Sequence, residues 1–294
     1  MSYPSKRHKS IKGIDLSNKT TEQVHSLFNT VLQEGMHGLC YSAYDEGQEP
    51  GTILTEDQIR RRLAIIAPHI KWIRTFSCIE GNELIPKVAR EFGLKTLVGA
   101  WLGDDKALNE KETAGLIKLA EAGFVDIAAV GNEVLYRNDL TEEELLGYID
   151  QVQAALPNIP VGYVDAYYEF SLHPKVVAVC DVILANCYPY WEGTHIDYSL
   201  IHAKNMFYQA LQAGNGKKVI ITETGWPSQG TGLDDAQPST DNAIRYFLNM
   251  QQWADQEDIE MFYFSSFDES WKVGPEGDVG AHWGLWDKKE QLKF

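Results

Sequence analysis

Eight short apolar runs rich in β-favouring residues recur along the chain and limit its possible folds more than any other feature. They occupy residues 38–43, 72–76, 96–101, 127–131, 161–165, 182–187, 219–222 and 261–267. Most of the runs are continuous rather than alternating in polarity, as expected of parallel strands that are covered on both faces of a sheet. The pattern therefore predicts eight parallel strands.

Segments with helical signatures separate these runs. Capping boxes at residues 55–58 and 141–144 each predict the first turn of a helix. Further helices are expected over residues 110–122, 198–213 and 240–256, where apolar residues recur at helical spacing. The chain thus alternates between strand and helix along most of its length.

This alternation within one 294-residue chain, without a Ser/Gly/Pro-rich linker, indicates a single α/β domain that folds as a (β/α)8 TIM barrel. A doubly wound sheet is the alternative, but the Gly-x-Gly-x-x-Gly fingerprint that would follow its first strand is missing. We expect one domain over residues 1–294, in which residues 1–20 form a flexible or loosely attached N-terminal segment. A barrel of this kind places its active site at the carboxyl ends of its strands.

The formal net charge of −16 limits the possible partners. This charge argues against nucleic acid and anionic membrane as partners, because their phosphate groups repel a strongly negative protein. No apolar run of 18 residues is present, so no transmembrane helix is predicted. Residues 1–12 are polar and basic and do not resemble a secretory signal. We therefore expect a cytoplasmic protein, or a secreted or periplasmic protein whose signal is not part of this sequence.

The positions of the four cysteines indicate a structural role in the core rather than a catalytic or metal-binding role. Cys40, Cys78, Cys180 and Cys187 lie inside apolar runs and show no C-x-x-C spacing. This placement favours buried thiols over a disulfide framework or a zinc site.

Two of the apolar runs lead into a glutamate. Run 127–131 is followed by Asn132 and Glu133, and run 219–222 by Glu223 and a Gly-Trp-Pro turn. An isolated glutamate in this position often only caps the next helix, but two stretches of the same design favour a catalytic pair at the ends of the fourth and seventh strands. Paired carboxylates suit glycoside hydrolysis, in which one donates a proton to the departing oxygen and the other attacks the anomeric carbon.

The neighbours of the two glutamates fit this chemistry. Arg74, at the end of the second run, is expected to hold the nucleophilic carboxylate ionised and oriented, unless it forms only a salt bridge at the rim. Asn132 is expected to bond the sugar 2-hydroxyl, unless it only caps the turn.

Aromatic residues collect at or just after the ends of the runs, where sugar faces would stack on them. We expect about half of them to be exposed in a cleft and the others to lie in the core. Tyr41 and Trp226 are expected to contact the substrate. The full set is Tyr41, Tyr44, Trp101, Tyr136, Tyr188, Tyr190, Trp191, Trp226, Phe267, Trp271 and Trp283.

Two stretches of the chain resemble the signature motifs of glycoside hydrolase family 17. They are Val-Gly-Asn-Glu-Val at residues 130–134 and Thr-Glu-Thr-Gly-Trp-Pro-Ser at residues 222–228. Residues 74–77, 188–191 and 267–272 match further parts of the family pattern, so the likeness spans from about Gly38 to Trp286. The segment 192–218 is shorter than the corresponding insertion of plant members, so the chain looks like the compact bacterial or fungal form.

The resemblance implies a (β/α)8 barrel that acts on β-1,3-glucan with retention of configuration. It implies Glu133 as the acid/base and Glu223 as the nucleophile. The positions that would carry over around the scissile sugar are Arg74, Asn132, Tyr188, Glu269 and Trp271.

These features lead us to expect an endo-acting β-1,3-glucanase. Its partner would be laminarin-type β-1,3-glucan or laminari-oligosaccharides, and we expect it to act as a monomer, with no metal and no other cofactor. The alternative enzyme is a β-1,3-glucanosyltransferase that elongates or branches glucan with the same two glutamates. A glucan-binding module without catalysis is a third hypothesis, but it predicts damage at one of the two glutamates, and both are intact.

Overall fold

A computed structural model describes residues 13–294 of the chain, with the exception of the side chain of Pro275. Eight parallel strands pair in sequential order and close into a barrel, because the last strand also pairs with the first. The strands are β1 Met36–Cys40, β2 Ile70–Thr75, β3 Lys95–Ala100, β4 Ile127–Asn132, β5 Val161–Ala166, β6 Val182–Asn186, β7 Lys218–Thr224 and β8 Met261–Tyr263. The predicted (β/α)8 TIM barrel is confirmed.

Helices follow or precede the strands around the barrel. They are α1 Thr21–Glu34, α2 Glu56–Ile66, α3 Ile85–Glu91, α4 Lys106–Glu121, α5 Glu142–Ala155, α6 Glu169–Leu172, α7 Pro174–Val179, α8 Ile196–Ala213, α9 Thr240–Glu257 and α10 Val273–Glu276. Helices α2, α4, α5, α8 and α9 were expected from the sequence. Thr55 caps α2, and Thr141 forms the complete capping box of α5.

Two boundaries differ from the sequence expectation for identifiable reasons. Helix α4 begins at Lys106 rather than at residue 110, because the Asp105 side chain accepts hydrogen bonds from the backbone N–H groups of Ala107 and Leu108. Strand β8 ends at Tyr263 rather than at residue 267. Beyond it the chain pairs with the C-terminal segment, as in the hydrogen bond from the Ser265 N–H to the Trp283 carbonyl oxygen.

The strands are buried on both faces, which explains their continuous apolar character. All six residues of β4 are buried, and so are the five residues of β6. The helices cover the outside of the barrel with one apolar face each, so the polar residues at the carboxyl ends of the strands are left to line the open end.

Residues 1–12 of the expected loosely attached N-terminal segment lie outside the described residues. Within residues 13–20, the Ile14 N–H donates to the Asn249 Oδ1 at 2.7 Å, and Ile14 and Leu16 pack against the core. This part of the segment is therefore in contact with α9.

The cysteines are free and buried, as the sequence indicated. Burial raises the pKa of Cys40 and Cys180 to about 12, so both thiols stay protonated near neutral pH. In the part of the chain that the structure describes, no helix is both long and apolar enough to cross a membrane.

Candidate active site

Glu133 is presented by an irregular turn at the carboxyl end of β4. Glu133 has a φ of +53° and Gly131 has a φ of +85°, so both lie in the left-handed region that costs a non-glycine residue energy. The pairing of β4 with β5 shifts register just before this turn, and the Glu133 N–H donates to the Val164 carbonyl oxygen at 2.8 Å. The bulge thereby turns the side chain of Glu133 out of the regular alternation of the strand.

Glu223 lies within β7, and its carboxylate is held by two donors. Arg74 of β2 forms an ion pair with it, with 2.6 Å between Nη1 and Oε1, and the Tyr188 hydroxyl donates to Oε2 at 2.7 Å. The side chain is buried, so these contacts operate where water screens them little. Both contacts stabilise the ionised carboxylate.

Arg74 also connects Glu223 to the other glutamate motif. Its Nη2 donates to the Asn132 Oδ1 at 2.6 Å, and its guanidinium lies 4.3 Å from the centre of the Phe76 ring. One buried guanidinium therefore fixes the side chain of Glu223 and that of the residue immediately before Glu133.

Glu133 has a contrasting environment. Its Oε1 accepts a hydrogen bond from the Asn186 Nδ2 at 2.8 Å. Burial, together with the negative charge of Glu223, raises the pKa of the Glu133 carboxyl to about 7, against the smaller opposing effects of Asn186 and Arg137. Near neutral pH a large fraction of Glu133 is therefore protonated.

Asn186 was missed in the sequence. It ends β6, and its own Oδ1 accepts a hydrogen bond from the Thr222 hydroxyl at 2.9 Å, which orients its amide so that the NH2 group faces Glu133. The only sequence signal is its position as a polar residue at the end of a buried apolar run, which is also typical of a turn.

Glu269 and Trp271 form an adjoining group beyond β8. The two oxygens of Glu269 separately accept from the Trp271 Nε1 at 3.1 Å and pair with the Lys272 Nζ at 2.9 Å. Lys272 lies over the Phe264 ring, which in turn contacts Tyr188 with 6.0 Å between ring centres. The structure thus joins Glu269 and Trp271 to the glutamate site through aromatic contacts.

Tyr41 and Trp226 do not occupy the positions expected of substrate-binding residues. Both are 1% exposed. The Tyr41 hydroxyl donates to the Ile59 carbonyl oxygen, and the Trp226 Nε1 donates to the Gln237 carbonyl oxygen, so their polar atoms are satisfied inside the protein. We therefore correct this expectation: the two rings are buried and leave no face open to a sugar.

Only three of the eleven aromatic residues are exposed, fewer than the half that we expected. Trp101, Tyr136 and Trp191 are 39%, 55% and 40% exposed, which leaves ring surface available for stacking. Tyr44, Tyr188 and Trp271 are half-buried, whereas Tyr190, Phe267 and Trp283 are buried.

A closed barrel is typical of glycoside hydrolases when its open end carries two buried carboxyl groups, one paired with an arginine and the other with a raised pKa. Comparison with known proteins agrees with this class. Residues 38–284 match the family described as the BtgE/BtgC glycoside hydrolase domain, and the chain belongs to this family.

Individual relatives are consistent with the family assignment. A glucan 1,3-beta-glucosidase of Saccharomyces cerevisiae is 28% identical over 277 residues, which cover 83% of this chain and 86% of that protein. Among solved structures, the glycoside hydrolase family 17 beta-1,3-glucanosyltransferase of Rhizomucor miehei superposes with a TM-score of 0.80 at 29% identity, over 89% of this chain and 96% of that one. An endo-laminarinase from Formosa Hel1_33_131 shares the fold, with a TM-score of 0.73 at 19% identity.

The protonation state of Glu133 is directly measurable. We expect carbon NMR of the glutamate carboxyl groups to give Glu133 a pKa of about 7. In Asn186→Ala the pKa of Glu133 should rise, because the variant lacks the N–H donor that stabilises the carboxylate form in the unchanged protein. An ordinary glutamate pKa in the unchanged protein would contradict the account of this site.

Proposed function

We propose that this protein is a retaining glycoside hydrolase that cleaves β-1,3-glucan of the laminarin type, with Glu133 as the acid/base and Glu223 as the nucleophile. The observation that carries the proposal is the opposite environment of the two carboxyl groups. Glu223 is ion-paired with Arg74, whereas burial raises the pKa of Glu133 to about 7. No metal or other cofactor is required by this chemistry.

In the first step, an oxygen of Glu223 attacks the anomeric carbon while Glu133 gives its proton to the departing glycosidic oxygen. The bond to the leaving sugar breaks as the ester to Glu223 forms. In the second step Glu133, now ionised, takes a proton from water as the water attacks the same carbon and releases Glu223. This sequence requires a separation of roughly 5 to 5.5 Å between the two carboxyl groups.

The substrate class is proposed from three agreeing features. The relatives named above act on 1,3-β-glucan according to their names, the charge of −16 disfavours polyanions, and exposed rings such as Trp101 and Trp191 offer stacking surfaces for neutral sugars. Only α8 lies between β6 and β7, so we assign the chain to the compact bacterial or fungal type. We further propose endo action by a monomer.

A second candidate function is transfer to sugar. The Rhizomucor miehei structure with a TM-score of 0.80 is a beta-1,3-glucanosyltransferase. Transfer would use the same ester on Glu223, but a sugar hydroxyl would replace water in the second step. Exposed rings would favour this outcome if they lay on the acceptor side, where they would retain a second glucan chain near the ester.

The product profile distinguishes hydrolysis from transfer. We expect incubation with a reduced laminari-oligosaccharide to release shorter products and new reducing ends. Products longer than the starting oligosaccharide would establish transfer instead. Absence of both kinds of product, from linear and branched β-1,3-glucan alike, would contradict the proposed function.

The two glutamates should respond differently to truncation. Glu133→Ala should keep activity towards aryl glycosides whose leaving group needs no protonation, because attack by Glu223 is unaffected. Added azide should then restore turnover and give a β-glycosyl azide, since azide replaces water at the ester without base assistance.

Glu223→Ala is the matched control for this experiment. It should abolish turnover and leave glucan binding largely intact, because the exposed rings are unchanged. A β-glycosyl azide from Glu223→Ala rather than from Glu133→Ala would show that the roles are reversed.

A further inference from the structure

Tyr163 and Asp165 of β5 form a buried polar pair that none of the steps above uses. Tyr163 is 1% exposed and Asp165 is fully buried. Because residues two apart on a strand point to the same side, both side chains face the turn that carries Glu133. A buried carboxylate is costly unless hydrogen bonds compensate it, so its presence beside this turn calls for a reason.

The pair holds the backbone immediately after Glu133. The Tyr163 hydroxyl accepts a hydrogen bond from the Leu135 N–H at 2.9 Å and donates to the Asp165 Oδ2. The same oxygen accepts a hydrogen bond from the Tyr136 N–H at 3.3 Å. Two consecutive N–H groups of the turn are therefore fixed by two side chains of the neighbouring strand.

These contacts act on a strained piece of chain. Glu133 has a φ of +53°, which a glutamate adopts only where the surroundings impose it. Its own N–H donates to the carbonyl oxygen of Val164, which lies between Tyr163 and Asp165 in the sequence. The backbone on both sides of Glu133 is thus tied to β5 by hydrogen bonds.

Asp165 is held as an acceptor. Its Oδ1 accepts a hydrogen bond from the Ala166 N–H at 2.7 Å. Together with the bonds from the Tyr136 N–H and the Tyr163 hydroxyl, the carboxylate therefore accepts three hydrogen bonds. Burial, helped by the nearby Glu169 of α6, raises the pKa of Asp165 to about 6, which leaves it mostly ionised at neutral pH.

We propose that Tyr163 and Asp165 are positioning residues for the general acid: they fix the turn that presents Glu133 and place a negative charge beside it. The inference rests on the acid/base role proposed for Glu133. It adds that the charge of Asp165 supports burial and the charge of Glu223 in favouring the protonated form of Glu133. The other groups that face Glu133 are Glu223 of β7, Asn186 of β6, Arg137 of its own turn and Tyr168 beyond β5.

The test uses the full chain with Asp165→Asn, which removes the charge and keeps the shape of the side chain. The value of kcat/KM is measured against pH on laminaripentaose, whose leaving group needs a proton, and on a dinitrophenyl β-laminaribioside, whose leaving group does not. We expect a loss on the order of 10- to 100-fold for laminaripentaose and a much smaller loss for the aryl substrate. The alkaline limb should move to lower pH, because Glu133 ionises more easily without the neighbouring charge.

Asp181→Asn is the matched control. Asp181 accepts a hydrogen bond from the N–H of Val161, the first residue of β5, at the opposite end of the same strand. The Asp181→Asn variant should keep the ratio of kcat/KM between the two substrates, and the position of the alkaline limb, as they are in the unchanged protein.

Two results would overturn the inference: an unchanged ratio of kcat/KM between the two substrates, or an unchanged alkaline limb in Asp165→Asn. If that variant does not fold, Tyr163→Phe replaces it, and the same selective loss on laminaripentaose is expected. Failure of the proposed function is recognised separately, as inactivity of the unchanged protein on both substrates. In that case the pKa of Glu133 measured by NMR tests the inference, since it must be lower in Asp165→Asn than in the unchanged protein if the pair acts as inferred.

Discussion

The buried ion pair between Arg74 and Glu223 is the interaction on which the rest of the site depends. A guanidinium this deeply buried is stable only when charge and hydrogen-bond partners surround it, and breaking such a pair typically costs about 3–5 kcal/mol. Arg74 meets this requirement with Glu223 on β7, with Asn132 on β4 and with the ring of Phe76. The pair thereby joins three strands at the open end of the barrel and sets where the Glu223 carboxylate lies.

Within residues 13–294, the same arrangement leaves the second glutamate without a direct cationic partner. Arg137 is close to Glu133 in sequence, but it donates to the carbonyl oxygens of Asn132 and Leu102 and pairs with Asp139. Burial and the nearby negative charge of Glu223 therefore prevail and keep a proton on Glu133. Two identical side chains thus acquire different chemistry because Arg74 pairs with only one of them. The Tyr163–Asp165 pair adds a further negative charge near Glu133.

The sequence predicted the barrel and the positions of Glu133 and Glu223 because both depend on local pattern: an apolar run of strand length that stops at a polar residue. The positions of Tyr41 and Trp226 were predicted wrongly, because the burial of a ring near a strand end depends on distant acceptors such as the Ile59 and Gln237 carbonyl oxygens. Asn186 was missed because its partner Glu133 lies 53 residues away. Helix α1 was also missed, although Thr20 and Gln23 form a capping box that is visible in the sequence.

The central claim is that Glu223, held by Arg74, forms a covalent bond to the sugar. A 2-deoxy-2-fluoro β-laminaribioside with an activated leaving group tests it most directly, because the fluorine slows both formation and hydrolysis of the ester, whereas the activated leaving group speeds only its formation. Peptide mass spectrometry of the treated protein should find one fluoroglycosyl group on the peptide that contains Glu223, and none after Glu223→Ala. A label on Glu133 or Glu269 instead of Glu223 would contradict the account.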